Sequence, residues 1–196
     1  MNNIVNIRSF TTARGVPTVV FVDMQKEYTA IPRLIAIPNI QQALDNCKKV
    51  LGHARRAGLP IVFVRWVDKA AAFFNSATPF ADWIEGFEPQ RNEMIFERKR
   101  PSCYCSEEFA ELMEFGSNDV VLAGFAGETS CLSTMVDAFH RNHRIVYLQD
   151  ASASHALMDI PADDVHNTIT RIAALYAQVA STDTWINSET QRVAAY

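Results

Sequence analysis

Residues 119–151, DVVLAGFAGETSCLSTMVDAFHRNHRIVYLQDA, restrict the possible folds more than any other part of the chain. Residues 120–123 are an unbroken apolar run, as a parallel strand covered on both faces requires. Gly124 and Gly127 bracket a tight loop, Thr129 or Ser130 suits a helix N-cap, and Leu132, Val136 and Phe139 then recur at helical spacing. A second apolar run at 145–148 follows and ends in Asp150-Ala151. A strand therefore feeds a helix through a short elbow. Cys131 falls in the first turn, where unpaired N–H groups and the helix dipole favour a thiolate. The same N–H groups could hold the oxyanion of a carbonyl under attack. The pattern is that of a nucleophile elbow built around sulfur; the competing reading of Cys131 is a buried small hydrophobe.

Earlier segments repeat the alternation. Residues 17–22 form a β-branched run closed by Asp23, and Asn39 can cap a helix whose buried stripe is Ile40, Ala43, Leu44, Cys47, Val50, Leu51 and Ala54. Gly58 ends that helix and Pro60 leads into a strand at 61–65, completing a right-handed βαβ unit. Residues 66–93 carry six large aromatics, from Trp66 to Phe87, and suit either a pocket cover or a subunit contact. A short strand at 94–97 precedes RKRPSCYC, and Ser106 with Glu108 starts a helix that Gly116 stops. Beyond Asp150, a helix opens near Pro161 with its stripe running to Val179, a last strand is expected at 181–186, and 187–196 read as a polar tail or helix. An edge strand or arm is expected at 4–7. The alternation indicates one α/β domain over 1–196, a three-layer sandwich with a mainly parallel sheet and helices on both faces.

Composition narrows the function. A net charge of -4 with no basic tract argues against nucleic acid and anionic membranes as partners, and no apolar run is long enough to cross a bilayer. The first residues lack the apolar core of a secretory signal, and four irregularly spaced cysteines suit reduced thiols, so a cytoplasmic enzyme is expected.

In a parallel sheet, functional groups gather at the carboxyl ends of the strands. Asp23, Lys99 and Cys131 fall there: a carboxylate can take the thiol proton while an ammonium holds both charges in place. VVFVDMQKEY, KRPSCYCSEEFAEL, AGFAGETSCLSTMVDA and VYLQDA, in this order, resemble the isochorismatase-like cysteine hydrolase superfamily, which includes nicotinamidases and N-carbamoylsarcosine amidase. The resemblance covers most of the chain. It implies a six-stranded parallel sheet, Asp23 as general base, Lys99 as organising cation, Cys131 as nucleophile and, commonly, a homodimer or homotetramer. Arg98 and Arg100 are the alternatives to Lys99, which is preferred because a compact ammonium on a flexible stem fits the role better. The family usually has six positions from the elbow glycine to its cysteine, whereas Gly124 to Cys131 is seven, as though the loop carried one extra residue. The family's non-proline cis peptide would fall at Phe125-Ala126 or Ala126-Gly127.

The expected reaction is hydrolysis of a C–N bond in a small amide or ureido substrate through a thioester, with backbone N–H groups of Gly127, Ser130 and Cys131 as the oxyanion hole. Tyr28, Trp66 and Tyr104 are expected as pocket walls. No cofactor is expected, and no metal: the Asp-x-His site of nicotinamidases has only Asp68 here, in RWVDKA. The alternatives are a vinyl-ether hydrolase of the isochorismatase type, whose members usually lack the cysteine, and a noncatalytic binding protein that retains the fold.

Overall fold

The computed structural model describes residues 16–116 and 118–194, so the strand or arm expected at 4–7 lies outside the described residues. Six strands, β1 (Thr18–Val22), β2 (Ile61–Trp66), β3 (Met94–Arg98), β4 (Asp119–Phe125), β5 (Arg144–Ala153) and β6 (Gln178–Ala180), pair in parallel in the order β3-β2-β1-β4-β5-β6. Five helices accompany them: α1 (Gln41–Ala57), α2 (Glu107–Phe115), α3 (Leu132–His140), α4 (Ala162–Ala173) and α5 (Thr182–Ala194).

The apolar runs fold as strands because both faces of the sheet are covered. Along β1, Val19 and Phe21 join Val121 and Ala123 of β4 against Leu44, Cys47 and Val50 of α1 and Trp185 of α5. The alternate residues, Val20 and Val22 with Val120 and Leu122, pack on the other side against Phe109 and Leu112 of α2 and Met135 of α3. Period-two alternation thus serves two cores at once, and all four residues from Val19 to Val22 are fully buried.

This strand order places the site. From β1 the chain moves outward through β2 to β3, then returns to lay β4 on the other side of β1. Connections leaving β1 and β4 diverge there, opening a crevice at the carboxyl ends of both strands. Gly124 permits the close approach behind it: its φ is 119°, and a Cβ there would lie 2.2 Å from the Val22 carbonyl oxygen.

Four local expectations change. Asn39 does not cap α1; it sits at φ 55° and the helix begins at Gln41 without a side-chain cap. Neither Thr129 nor Ser130 caps α3, because a π turn, Gly127–Cys131, comes before it. α4 stops at Ala173, short of the stripe's end at Val179, which lies in β6. The strand expected at 181–186 is the start of α5: the Thr182 N–H and Oγ1 both donate to Asp150 Oδ1 at 2.8 Å, which fixes a first helical turn and buries Trp185. Among the described residues, no helix is long and apolar enough to cross a membrane.

Candidate active site

The peptide after β1 turns sharply, and Asp23 takes φ 49°, a left-handed conformation uncommon for a residue with a side chain. Contacts from three elements hold it. Its N–H donates to the Val64 carbonyl at 2.8 Å, and its Oδ1 accepts from the Trp66 N–H at 2.8 Å. Its Oδ2 accepts from Arg98 Nη2 at 2.6 Å and from Ser130 Oγ at 2.9 Å. The same Arg98 nitrogen donates to Ser130 Oγ at 3.0 Å, closing a triangle of carboxylate, guanidinium and hydroxyl. Burial raises the Asp23 pKa above the ordinary carboxylate value, although the Arg98 charge, the Ser130 and Arg98 hydrogen bonds and the Trp66 amide each pull it back down.

The cation of this triangle is Arg98, and the expectation for Lys99 gives way to it. Along β3, Met94, Phe96 and Arg98 lie on the more buried side and Ile95 and Glu97 on the exposed one; Lys99, just past the strand end, is exposed to solvent. The buried guanidinium also donates through Nη1 to the Arg100 carbonyl at 2.7 Å and lies over the Trp66 ring, 5.1 Å from its centroid. Burial opposes its charge, while Asp23, with smaller contributions from other neighbours, raises its pKa overall.

Cys131 is fully buried, and its sulfur's hydrogen-bond contacts are with Gly124 and Ser152, not with the triangle. Sγ lies 3.5 Å from the Gly124 carbonyl and 3.9 Å from Ser152 Oγ, in the layer that holds Val22, Cys103 and Met135. Burial pushes its thiol well above the ordinary range, Ser152 offsetting only part. The elbow therefore presents oxygen, from Ser130, where the sequence suggested sulfur. The count agrees with this: six positions from Gly124, the spacing usual in the family the sequence resembles, lead to Ser130.

A cavity of about 540 Å³ opens at this crevice, lined by Tyr28, Trp66, Phe73, Phe74, Ser130 and His155 among others. The aromatic segment after β2 thus forms one wall of it. Buried polar groups anchor that wall. Gln25 Nε2 donates to the carbonyls of Trp66 and Ala81 at 2.8 and 3.0 Å, and Glu27 accepts from Arg33 and from the Phe74 N–H. Tyr28 and Trp66 line the cavity as expected; Tyr104 does not. A short turn, Cys103–Cys105, sends its ring between α2 and α3, where the hydroxyl meets His143 Nδ1 at 2.7 Å and Phe109 packs edge-on. A similar recess of about 560 Å³ at the opposite end of the strands is lined by Val120, Ile145 and Trp185 and includes none of the triangle.

The elbow's backbone narrows the oxyanion candidates. The N–H groups of Thr129 and Cys131 donate to the Ala126 carbonyl at 3.3 and 3.1 Å, which withdraws Cys131 from the expected set and leaves Gly127 and Ser130. The peptide between Phe125 and Ala126 is cis, one of the two bonds named from the sequence.

The family profile for the isochorismatase domain matches residues 17–184. The chain belongs to the isochorismatase family. Its fold is similar to that of an isochorismatase from Pseudomonas putida KT2440, with TM-score 0.81 and 28% identity over 90% of this chain and 94% of the other. The N-carbamoylsarcosine amidase of Thermoplasma acidophilum matches with TM-score 0.70 and 26% identity, covering 86% of this chain and 97% of that one. Maleamate amidohydrolase from Pseudomonas putida is 23% identical over 150 residues, 68% of this chain and 70% of that protein. This isochorismatase-family hydrolase therefore has amide-cleaving relatives.

In the sequence Arg98 stands as an alternative to Lys99, and Ser130 as a helix cap and an oxyanion donor; the triangle gives both a larger part, and each left a signal. Strand parity points to Arg98, since positions 94, 96 and 98 share a face. The six-position spacing from Gly124 points to Ser130.

Proposed function

We propose that this family member hydrolyses the C–N bond of a small amide or ureido compound with Ser130, in place of a cysteine, as nucleophile. The observation that carries the reading is the 2.9 Å hydrogen bond from Ser130 Oγ to Asp23 Oδ2, in a cavity where Ser130 is a lining residue and Cys131 is not. Asp23 accepts the hydroxyl proton as Oγ attacks the carbonyl carbon. Arg98 holds the carboxylate and the hydroxyl together and keeps a positive charge beside them as the proton moves. Backbone N–H groups of Gly127 and Ser130 are the candidates to receive the oxyanion. When the tetrahedral intermediate collapses, the C–N bond breaks and the leaving amine takes the proton from Asp23. Water then attacks the acyl ester on Ser130 and gives a proton to Asp23; the ester C–O bond breaks, Ser130 Oγ takes that proton back from Asp23, and the acid is released. The intermediate is an oxygen ester, so the thioester expected from the sequence is not part of the scheme.

The test is turnover of a panel of small amides and ureas by the natural chain, Ser130→Ala and Cys131→Ala, with intact mass spectrometry during turnover. Ser130→Ala should lose at least about 100-fold in kcat, the scale of a lost nucleophile or general base. Cys131→Ala should keep most of it. An acyl adduct that maps to Cys131, or a Ser130→Ala variant with full turnover, rejects the scheme. That the side chains bonded to Asp23 are an arginine and a serine, not a cysteine, also favours one second reading, vinyl-ether hydrolysis in which Asp23 acts as an acid and no covalent intermediate forms; there Ser130→Ala would retain turnover of a vinyl ether such as isochorismate.

A further inference from the structure

The cavity contains a second carboxylate that the scheme above does not use. Glu128, two residues before Ser130 in the π turn, lines the same cavity with its side chain only 5% exposed. Its Oε1 meets His155 Nδ1 at 2.6 Å, and His155 Nε2 meets the Ile35 carbonyl at 2.9 Å. Both ring nitrogens face acceptors, which only the doubly protonated imidazole satisfies. Burial alone would lower the His155 pKa, but the Glu128 hydrogen bond, the Ile35 carbonyl and the Glu128 charge outweigh it and raise it. This geometry suits a carboxylate paired with an imidazolium. Glu128 Oε2, by contrast, is shielded from solvent and has no hydrogen-bond partner in the protein, so a ligand reaches it when the side chain turns toward the cavity that Glu128 lines. A buried carboxylate oxygen without a donor costs a desolvation penalty that a donor arriving with a ligand would recover.

We propose that Glu128 Oε2 is the specificity-determining acceptor of this site, receiving an N–H of a neutral carboxamide or ureido substrate whose apolar part lies against Tyr28, Trp66 and Phe74. Charge and shape support this class. Arg98 pairs with Asp23 and His155 with Glu128, so among the described residues that line the cavity no unmatched cation is present for an acidic substrate. The unpartnered oxygen belongs to an anion and repels a second carboxylate. Aromatic walls favour an uncharged, flat acyl compound. A neutral N–H donor satisfies Oε2 without adding net charge. An ester or ketone of the same shape leaves it unpaired, and discrimination of this kind exceeds what apolar fit alone achieves.

This inference rests on the proposed C–N hydrolysis only for the location of the substrate, and binding can be read without turnover. Benzamide, acetophenone and benzoate have nearly the same outline but present NH2, CH3 and a charged oxygen at one position. Titration of each into the full chain, followed by ligand-observed NMR, gives the three affinities, and any benzoate formed from benzamide appears in the same spectra. Benzamide should bind about tenfold tighter than acetophenone, with benzoate weakest, the size expected of one hydrogen bond to a charged group. In Glu128→Gln, whose amide can turn a donor toward the ligand, that advantage should fall to less than about twofold while benzoate gains. Equal affinities for benzamide and acetophenone in the natural chain overturn the proposal, and so does a tenfold gap that survives Glu128→Gln. If that variant does not fold, the order of affinities in the natural chain decides alone. Failure of the hydrolytic scheme would look different: the binding order would hold while Ser130→Ala retained its turnover.

Discussion

At the residue scale, the site depends on which of two neighbours faces inward, and this happens twice. Ser130 and Cys131 are adjacent, as are Arg98 and Lys99, and in each pair the buried triangle takes the first. Chemistry argues for the other member in both cases, because a thiol is the better nucleophile and an ammonium the more compact cation. Backbone direction decides instead. The guanidinium's part can be tested through pH. Asp23 already titrates above the usual carboxylate range because burial outweighs the pull of Arg98. If Asp23 acts as the base, kcat/KM should fall as pH drops through its pKa. Arg98→Gln removes the largest influence that lowers that pKa, so the acid limb should move to higher pH. A loss of about 100-fold or more at neutral pH should accompany the shift. Asp23 would not be the base if the acid limb in Arg98→Gln stayed where it is in the natural chain.

At the scale of elements, the strands and the elbow were legible and the chain beyond Asp150 was less so. β1, β2 and β4 read correctly because a strand covered on both faces needs an unbroken apolar run, and these runs are bounded by Gly, Pro or Asp. β6 and α5 did not, because a three-residue edge strand carries too little pattern. Trp185 and Ile186 suit a strand as well as a helix until Asp150, more than thirty residues earlier in the chain, supplies the acceptor for Thr182. The elbow's details were hidden for a related reason: a π turn sets side chains at an angle that a 3.6-residue period does not describe. Three glycines grade the rigidity of these joints. At Gly58, the αL cap of α1, an added Cβ meets nothing within 4 Å, so Gly58→Ala should cost about 1 kcal/mol for the left-handed backbone alone. At Gly124 the Cβ would strike the Val22 backbone, and β1 and β4 would have to separate; a loss of more than about 3 kcal/mol is expected, or no soluble protein. Gly127 is intermediate, since its nearest neighbour is the Ser154 hydroxyl at 2.8 Å, which can rotate away. Urea denaturation of the three alanine variants should return this order, and a Gly124→Ala chain as stable as Gly58→Ala would contradict the β1–β4 contact.

Across the whole molecule, the two apolar layers and the loops over the crevice determine which sulfurs reagents can reach. Cys47 lies under α1, with its Sγ 3.1 Å from the Ala151 carbonyl, and burial holds its thiol far above the ordinary range. Cys103 and Cys131 share the opposite layer, and burial raises Cys103 to about 11. Cys105, at the end of the same short turn as Cys103, is exposed. A cysteine nucleophile would be reached from the cavity and would react faster than free cysteine, whereas a thiol packed in a core reacts only when the layer around it opens. Iodoacetamide at neutral pH should therefore add one equivalent to the folded chain, at Cys105, and all four only in denaturant. Turnover should survive the first addition. Intact mass and peptide mapping give the stoichiometry and the site, and the rate of the remaining three should follow unfolding as denaturant is raised. Rapid modification of Cys131 in the folded chain, with loss of activity in step, would restore sulfur as the nucleophile and remove Ser130 from that role.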